Sequence, residues 1–448
     1  MIAGDTIAAV ATAPGRGGVA VVRVGGPEAL SIAGRLTGKG SKFQDSSSKF
    51  QVLRLYSPQP ETSNLKPETF LDEAVVLLFS APHSYTGEDV VEFQCHGGTV
   101  TPRRVLEACL AAGARLARRG EFTERAFLNG RLDYAQAESV LDLIDAKTNR
   151  AADAALEGLS GRRSREARAL YETALDLSTR LEHALDIDEG ELPPDFLPSV
   201  SSQLSTLNSQ LRTAISKAAE GRLLRSGSLV VLAGPPNAGK SSLLNALLEE
   251  NRAIVSDVPG TTRDSIEAWI DLDGWPVRLV DTAGLRESTD EVEVEGVRRS
   301  EELIAKADVV VLFQVSGFGP IDLKRETCNL KLIPVHAKCD LGRGDGLNVS
   351  AKTGEGLDDL KRAIVAKLEE KVASSDDGDD PEGDVVAYHE ALVLLDGGRE
   401  MRDIEREEDL VLMANSVRAA AERLGGAVGA TYSSDMLDNL FSRFCVGK

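Results

Sequence analysis

The chain has 448 residues, of which 42% are hydrophobic and 27% are charged, and its formal net charge is −20. This length predicts about three domains, and the composition is typical of globular proteins, which excludes a wholly disordered, collagen-like or membrane-embedded chain. The acidic charge disfavours nonspecific nucleic-acid binding through bulk charge, so nucleic acid would need a local basic patch or a partner.

The N-terminal segment, residues 1–128, alternates short β-rich runs with helical stretches, which predicts an α+β domain. The Ser-, Lys- and Pro-rich residues 38–69 are expected to include a loop. The expected strands and helix are Ala20–Val24, Glu73–Phe79, Val90–Cys95 and the helix Val105–Ala112.

The next segment, residues 129–224, is predicted to form the first part of a helical domain. An apolar stripe at helical spacing is typical of a packed core; its members are Leu170, Ala174, Leu177, Leu181 and Leu185. Pro193 and Pro194 interrupt the pattern, and a further helix is expected over residues 199–220.

Residues 225–373 alternate buried strands with helices, which predicts a doubly wound α/β domain. Its expected strands are Leu229–Ala233, Val277–Val280, Val309–Phe313 and Leu332–Val335. Residues 374–384 are acidic and are expected to form a solvated linker, and residues 385–448 are again helical in pattern. This order predicts an α/β domain inserted between two parts of one helical domain.

The cysteines are scattered and lack CxxC spacing, so we expect neither a zinc site nor a disulfide framework. A reducing compartment fits this usage. Residues 1–18 lack the pattern of a signal peptide, and no run of about 18 apolar residues predicts a membrane span. We therefore expect a cytoplasmic protein without membrane contact.

A phosphate-binding loop follows the first strand of the α/β segment. Gly234–Ser241 matches G-x-x-x-x-G-K-[ST] between a predicted strand and a predicted helix, the context that the motif requires. Its backbone N–H groups can surround a phosphate at a helix N-terminus. Lys240 is expected to reach the β- and γ-phosphates and Ser241 to bind Mg²⁺. The other expected nucleotide contacts here are Asn237, Ala238, Gly239 and Ser242.

Four further motifs follow in the order of a guanine-nucleotide switch domain. Gly260–Asp264 (G-T-T-R-D) offers a Thr hydroxyl for Mg²⁺. Asp281–Gly284 (D-T-A-G) offers the Asp281 carboxylate for Mg²⁺ through water and the Gly284 N–H for the γ-phosphate. The remaining two predict guanine recognition: Lys338 with Asp340, whose carboxylate accepts the N1 and N2 hydrogens that adenine lacks, and Ser350-Ala351-Lys352, which brings a backbone N–H to guanine O6.

Two positions depart from the pattern of such GTPases. Ala337 stands where N-K-x-D motifs carry Asn, and losing that side chain costs about 1–3 kcal/mol of nucleotide binding. Leu285 stands where Ras-like proteins carry the Gln that orients the attacking water. Arg263 is available as a charge but could equally form a salt bridge, whereas the Asn237 amide oxygen could hold a monovalent cation in place of an arginine finger.

Motifs outside the phosphate-binding segment resemble those of the MnmE (TrmE) family of tRNA uridine-34 modification GTPases, over nearly the full length. A phosphate-binding loop alone is typical of a whole superfamily, whereas these flanking motifs are specific to one family. They are Asp5–Ala8, Pro14–Gly18, Ser84–Val90, His96–Gly98, Gly120–Gly130 and the terminal Phe444–Lys448.

The resemblance implies an N-terminal domain that dimerises and binds 5-formyl-tetrahydrofolate or a related reduced folate. By similarity its folate contacts are Arg23, Glu92, Arg131 and Lys448. A carboxylate can pair with the amino-pyrimidine edge of a pterin, and cations suit the anionic tail. Cys445 is either a reactive thiol near this donor or a small buried residue.

The resemblance also implies that K⁺ replaces an arginine finger during GTP hydrolysis. By similarity K⁺ is held by Asn237, Thr261 and the backbone oxygens of Ser256 and Val258. Ser241 and Thr262 hold Mg²⁺, and juxtaposed GTPase domains of a homodimer stabilise the K⁺ loop. Glu293 positions the water indirectly, and the residues expected to act in catalysis are Glu293, Lys240, Thr262, Gly284 and Cys445.

The resemblance thus implies a K⁺-stimulated GTPase that modifies the wobble uridine U34 in the tRNA anticodon region at C5. It would add an aminomethyl or carboxymethylaminomethyl group together with a flavin-dependent MnmG-like partner, in a heterotetramer or larger complex. Two alternatives stay open: an Era-type RNA- or ribosome-associated GTPase switch without one-carbon chemistry, and a degraded nucleotide binder, which Ala337 motivates.

Overall fold

The computed structural model describes most of the chain in two units. One unit comprises Met1–Leu141 with Thr431–Lys448, and the other comprises Asp142–Ala430. The described residues are 4–39, 50–58, 69–187, 192–235, 237–250, 267–281, 302–314, 332–374, 384–397, 407–428 and 434–448. Within these ranges, no helix is long and apolar enough to cross a membrane.

A six-stranded sheet forms the frame of the first unit, with strand order β3-β4-β5-β2-β1-β6. All neighbours pair antiparallel except β1 and β6, which are parallel. The strands are β1 (Ile7–Val10), β2 (Val19–Gly25), β3 (Phe50–Tyr56), β4 (Phe70–Phe79), β5 (Val90–His96) and β6 (Arg115–Leu116), and the helices are α1 (Ala29–Leu36), α2 (Thr101–Ala111), α3 (Glu121–Leu128) and α4 (Tyr134–Asp145).

The core of this unit lies on one face of the sheet. Side chains alternate along a strand, so Val22, Val24 and Phe93 are buried against Ile32 of α1 and Val105 of α2. The predicted α+β fold is confirmed, and the three strands and the helix expected here are present.

Residues 38–69, which were expected to include a loop, contain the strand β3, and residues 40–49 and 59–68 lie outside the described residues. β3 is the edge strand, and its Phe50 and Val52 are 67% and 65% exposed. An edge strand with exposed apolar residues and Ser- and Pro-rich flanks does not show the buried pattern by which the other strands were predicted.

The C-terminal residues of the chain pack into the first unit. Helix α12 (Ser434–Ser442) places Phe441 beside Phe127 of α3, with 6.3 Å between ring centroids, and Phe444 is fully buried. Val446 forms a β-bridge with Arg119. Residues of the predicted domain 385–448 therefore belong to both units. The domain boundaries given in the sequence analysis remain predictions.

A helical core in the second unit is built from two stretches that are distant in sequence. Its helices are α5 (Asn149–Leu159), α6 (Arg162–Leu185), α7 (Phe196–Ser226), α10 (Asp384–Gly397) and α11 (Glu407–Val428). Leu177 and Leu211 share a core with Leu392 and Val417. The α/β segment lies between these stretches in sequence, which confirms the predicted insertion.

The second sheet has the strand order β12-β11-β10-β7-β9-β8. All neighbours are parallel except the hairpin β8–β9. Because the strand order reverses direction at β7, the carboxyl end of β7 is the switch point at which doubly wound sheets bind ligands. Its elements are β7 (Ser228–Ala233), α8 (Lys240–Glu250), β8 (Glu267–Leu272), β9 (Trp275–Asp281), β10 (Val309–Gln314), β11 (Leu332–Ala337), β12 (Leu347–Val349) and α9 (Leu357–Ala373).

Candidate functional site

The phosphate-binding loop joins the carboxyl end of β7 to α8. Asn237 and Gly239 have positive φ angles of 59° and 97°, and α8 begins at Lys240. The first N–H groups of a helix lack partners within the helix, so this turn presents them to an anion at the switch point of the sheet.

Lys240 is almost completely buried, with 4% of its surface exposed. Its Nζ donates to the carbonyl oxygens of Gly234 and Pro235, 2.9 Å from each. These bonds hold the ammonium group above the loop, where it can bind phosphate oxygens.

Ser241 and Asp281 bring a hydroxyl and a carboxylate together beside the loop. Ser241 Oγ donates to Asp281 Oδ2 over 2.6 Å, and Asp281 ends β9 and is 1% exposed. Oxygen donors of these two kinds are what Mg²⁺ prefers. The pair therefore fits the ion that the sequence predicts here.

The guanine-recognition motifs follow β11 and β12, at the same edge of the sheet. Asp340 Oδ1 accepts a hydrogen bond of 2.7 Å from Ser350 Oγ, and Ser350 is fully buried. This bond orients the Asp340 carboxylate and joins the two predicted motifs, with Ala351 and Lys352 following directly. The donor and acceptor set fits a guanine base.

The guanine motif is also tied to the phosphate-binding loop. Lys338 has a φ of 60°, and its Nζ donates to the backbone oxygen of Asn237 over 3.0 Å. Ala337 ends β11, paired with Val349 of β12, and has no side-chain donor. Among the described residues, a lysine therefore makes a hydrogen bond between these two motifs.

A second cluster lies in the first unit, on the sheet face opposite α1 and α2. Arg23 of β2 and Glu92 of β5 are cross-strand partners, and Arg23 Nη2 lies 2.8 Å from Glu92 Oε1. The Arg23 guanidinium carbon lies 5.4 Å from the ring centroid of Tyr85 and 5.5 Å from that of Phe122. A cation, a carboxylate and two rings thus line one site.

The C-terminus completes this cluster. Arg23 Nη1 donates to the backbone oxygen of Gly447 over 3.3 Å, and burial together with the charge of Arg23 lowers the pKa of Lys448. Cys445 is exposed, so the alternative of a small buried residue is wrong. The exposed thiol stays compatible with the reactive alternative.

Arg131 lines a cavity of about 610 Å³. Tyr85 lines the same cavity, and burial raises the pKa of its hydroxyl. Tyr85, to which the sequence analysis gave no role, therefore contacts Arg23 and shares a cavity with Arg131. Its position inside the motif Ser84–Val90 is the signal that could have identified it.

Several predicted site residues lie outside the described residues. They are Ser256, Val258, Thr261, Thr262, Gly284 and Glu293, and most of the acidic linker 374–384 lies outside as well. Of the predicted K⁺ ligands, Asn237 lies within the described ranges.

Two family models match the chain. Residues 6–131 match the model described as GTP-binding protein TrmE N-terminus, and residues 134–445 match the MnmE helical domain.

Curated proteins named tRNA modification GTPase MnmE match over essentially their full length. The protein of Symbiobacterium thermophilum is 40% identical over an alignment of 467 positions, gaps included, that covers 99% of each chain. That of Synechocystis sp. is 39% identical over 465 positions, again 99% of each, and that of Dichelobacter nodosus is 41% identical over 471 positions, 100% of each.

Solved structures match part of the chain. The G domain of the T. maritima FeoB iron transporter is 28% identical with a TM-score of 0.23, covering 31% of this chain and 98% of that one. Aquifex aeolicus Era bound to GDP·AlF4⁻ is 21% identical with a TM-score of 0.25, covering 37% of this chain and 67% of that one. TM-scores this low support no inference about the chain.

Proposed function

The chain belongs to the MnmE family of tRNA modification GTPases, and we propose that it uses K⁺-stimulated GTP hydrolysis to drive modification of the wobble uridine U34 of certain tRNAs at C5. The observation that carries the GTPase role is the convergence of Lys240, Ser241, Asp281 and Asp340 at one edge of the second sheet. Hydrolysis acts as a conformational gate, and no phosphate is transferred to the tRNA.

In this proposal the chain's own residues bind and orient the nucleotide. Lys240 holds the β- and γ-phosphates, Ser241 and Asp281 hold Mg²⁺, and Asp340 selects guanine with the help of Ser350. When bound, Mg²⁺ and K⁺ supply the positive charge that an arginine finger supplies in other GTPases. The Asn237 amide is the K⁺ ligand proposed within the described residues, and the Glu293 carboxylate orients water indirectly.

The cluster around Tyr85 is proposed to bind 5-formyl-tetrahydrofolate. Glu92 pairs with the amino-pyrimidine edge of the pterin, and Arg131 and Lys448 bind the anionic tail. Support comes from the meeting of Arg23, Glu92 and the C-terminal residues in one site with aromatic walls.

A homodimer, an MnmG-like flavoprotein and the tRNA anticodon region are the proposed partners. The family models match on both sides of the GTPase segment, in the N-terminal and helical segments. Those matches favour this function over the Era-type switch, whose similarity to this chain would be expected in the GTPase segment.

Reconstitution tests the proposal. Unmodified tRNA is incubated with the chain, an MnmG-like flavoprotein, GTP, KCl and a reduced folate, and its nucleosides are analysed by mass spectrometry. We expect modified U34 when all components are present and none with Lys240→Ala. Lys217→Ala, which removes a half-exposed lysine in an ion pair with Glu166, is the matched control. Equal product without GTP would contradict the proposal.

A further inference from the structure

The hairpin β8–β9 carries both tryptophans of the chain, Trp269 and Trp275. β9 begins at Trp275, beside the hairpin turn, and ends at Asp281, which is bonded to Ser241 of the phosphate-binding loop. Seven residues of strand span about 20 Å. The hairpin therefore extends from the end of the second sheet that carries the phosphate-binding loop to the opposite end of its strands.

At that opposite end, the turn of the hairpin is bonded to the start of α5. Thr148 is the N-cap of α5, and its Oγ1 accepts from the N–H of Ala151 over 3.2 Å. The same hydroxyl donates to the backbone oxygen of Gly274 in the hairpin turn over 2.7 Å. One buried side chain thus fixes both the helix start and the turn.

Arg150 adds a second contact at the turn. Its guanidinium carbon lies 4.2 Å from the ring centroid of Trp275, which is 1% exposed, and its Nη2 donates to Glu220 Oε1 of α7 over 2.6 Å. A Cβ on Gly274 would lie 2.9 Å from the Cβ of Arg150. A side chain at position 274 would therefore collide with Arg150. Arg150 therefore connects the hairpin with both α5 and α7.

Trp269 contacts the helical segment as well. Its ring lies against the Cα of Gly227, the residue that ends α7, where any side chain would collide with it. Lys147 Nζ lies 4.8 Å from the centroid of the same ring. Both tryptophans are therefore held by residues of, or next to, the helices that flank the second sheet.

We propose that the hairpin β8–β9 couples the nucleotide state at Asp281 to the helical segment through a clamp formed by Thr148, Arg150 and Glu220, with Arg150 as a positioning residue. This inference rests on the proposed GTPase cycle, and it assigns the route by which that cycle acts on the rest of the molecule. The two strands of the hairpin pair along their length and are hydrogen-bonded to other elements at both ends, so a shift at one end requires repacking at the other.

Coupling of this kind is reciprocal. If one nucleotide stabilises a conformation of the clamp, that conformation in turn binds the same nucleotide more tightly. Loosening the clamp therefore changes the preference for GTP over GDP but leaves the residues that hold either nucleotide in place. Typical couplings correspond to about 5- to 150-fold in affinity.

Tryptophan emission of the full chain provides the test, because the two tryptophans report only on the hairpin. Emission and affinity are measured with GDP and with a non-hydrolysable GTP analogue for the wild type, Arg150→Ala, Arg150→Lys and Thr148→Val. Arg162→Ala is the control, since Arg162 pairs with Glu157 and Glu166 on the surface of the same unit. Circular dichroism verifies folding, Thr148→Ser is the conservative variant that retains the hydroxyl, and Thr148→Val serves if Arg150→Ala does not fold.

We expect the wild-type and control emission to differ between the two nucleotides. In Arg150→Ala and Thr148→Val the difference disappears and the affinity preference changes at least about 5-fold, while Arg150→Lys and Thr148→Ser retain part of the response. An emission that is the same with both nucleotides in the wild type, or an Arg150→Ala response equal to that of the wild type, would overturn the coupling. Neither readout needs tRNA, so a wild type that shows this response but never modifies tRNA would refute the proposed function and leave the coupling standing.

Discussion

At the scale of single residues, the guanine motif shows how a missing side chain is compensated in part. Ala337 ends β11 without a side-chain donor, and Lys338 supplies the bond to the phosphate-binding loop through the backbone oxygen of Asn237. The Asp340–Ser350 bond is independent of residue 337. In the proposed nucleotide site, both of these hydrogen bonds are therefore present without a side-chain donor at residue 337.

Restoring that side chain tests this interpretation. We expect Ala337→Asn to tighten GDP binding roughly 10-fold, since one added hydrogen bond contributes about 1–1.5 kcal/mol. Titration with a fluorescent GDP analogue measures the change. Gly342→Ala in the same loop is the control, because its Cβ would meet no neighbour within 4 Å. Unchanged affinity in Ala337→Asn would show that Lys338 already does all that the asparagine could do.

Glu121 is a buried carboxylate at the start of α3, 2% exposed. Burial alone would raise its pKa, but hydrogen bonds from Arg115 and from the backbone N–H of Arg118 lower the pKa to about 2. A carboxyl whose pKa is lowered by folding stabilises the protein above its unfolded pKa, near 4.5, and loses that contribution as the pH falls towards 2.

We expect Glu121→Gln to lower the free energy of unfolding at pH 7 by roughly 3 kcal/mol, because it removes the buried carboxylate charge that pairs with Arg115, Arg118 and Arg125. The difference from the wild type should shrink between pH 4.5 and pH 2. Scanning calorimetry of both proteins across this range measures it, with Glu107→Gln as an exposed control. A difference that is independent of pH would contradict the assigned role of the charge.

At the scale of elements, the C-terminal residues form one wall of the proposed folate site. Gly447 has a φ of 101°, and a Cβ there would collide with the backbone oxygen of Val10 in β1. Because the Gly447 oxygen also accepts from Arg23, the close approach to β1 positions both Gly447 and the adjacent Lys448.

Gly447→Ala is therefore expected to weaken reduced-folate binding at least about 10-fold, the cost of one charge-assisted hydrogen bond. GTP hydrolysis should be unaffected. Gly113→Ala is a matched control, because Gly113 also has a positive φ of 109° but open space around its Cα. Calorimetric titration measures binding; equal folate affinity in the two variants would contradict the role given to the C-terminus.

The same scale shows which elements could be predicted from the sequence. Strands β7 and β10 were predicted because each contains an unbroken run of five apolar residues, Leu229–Ala233 and Val309–Phe313. The short strands β6 and β12 and the edge strand β3 were missed, because their pairing is supplied by neighbours and not by their own pattern. Hairpin strand β8 was missed for the same reason, since it pairs with β9 alone.

At the scale of the whole molecule, motif spacing predicted the nucleotide site, because a phosphate-binding loop, Asp281 and Asp340 follow separate strands that end at one edge of the sheet. The cluster around Tyr85 could be predicted only by resemblance. It joins residues that are up to 424 positions apart, as in the bond from Arg23 to Gly447, and no local pattern encodes that distance. The contacts that α5 and α7 make with the hairpin β8–β9 could likewise not be predicted from the sequence.

In the proposed GTPase cycle a monovalent cation replaces an arginine finger, and the decisive measurement is steady-state hydrolysis by the purified full chain in KCl and in matched NaCl. We expect hydrolysis of GTP but not ATP, strongly stimulated by K⁺ over Na⁺. Asn237→Gly, which retains the positive φ angle but removes the amide, should lose the stimulation. Equal rates of GTP hydrolysis in the two salts would contradict the proposed role of the cation.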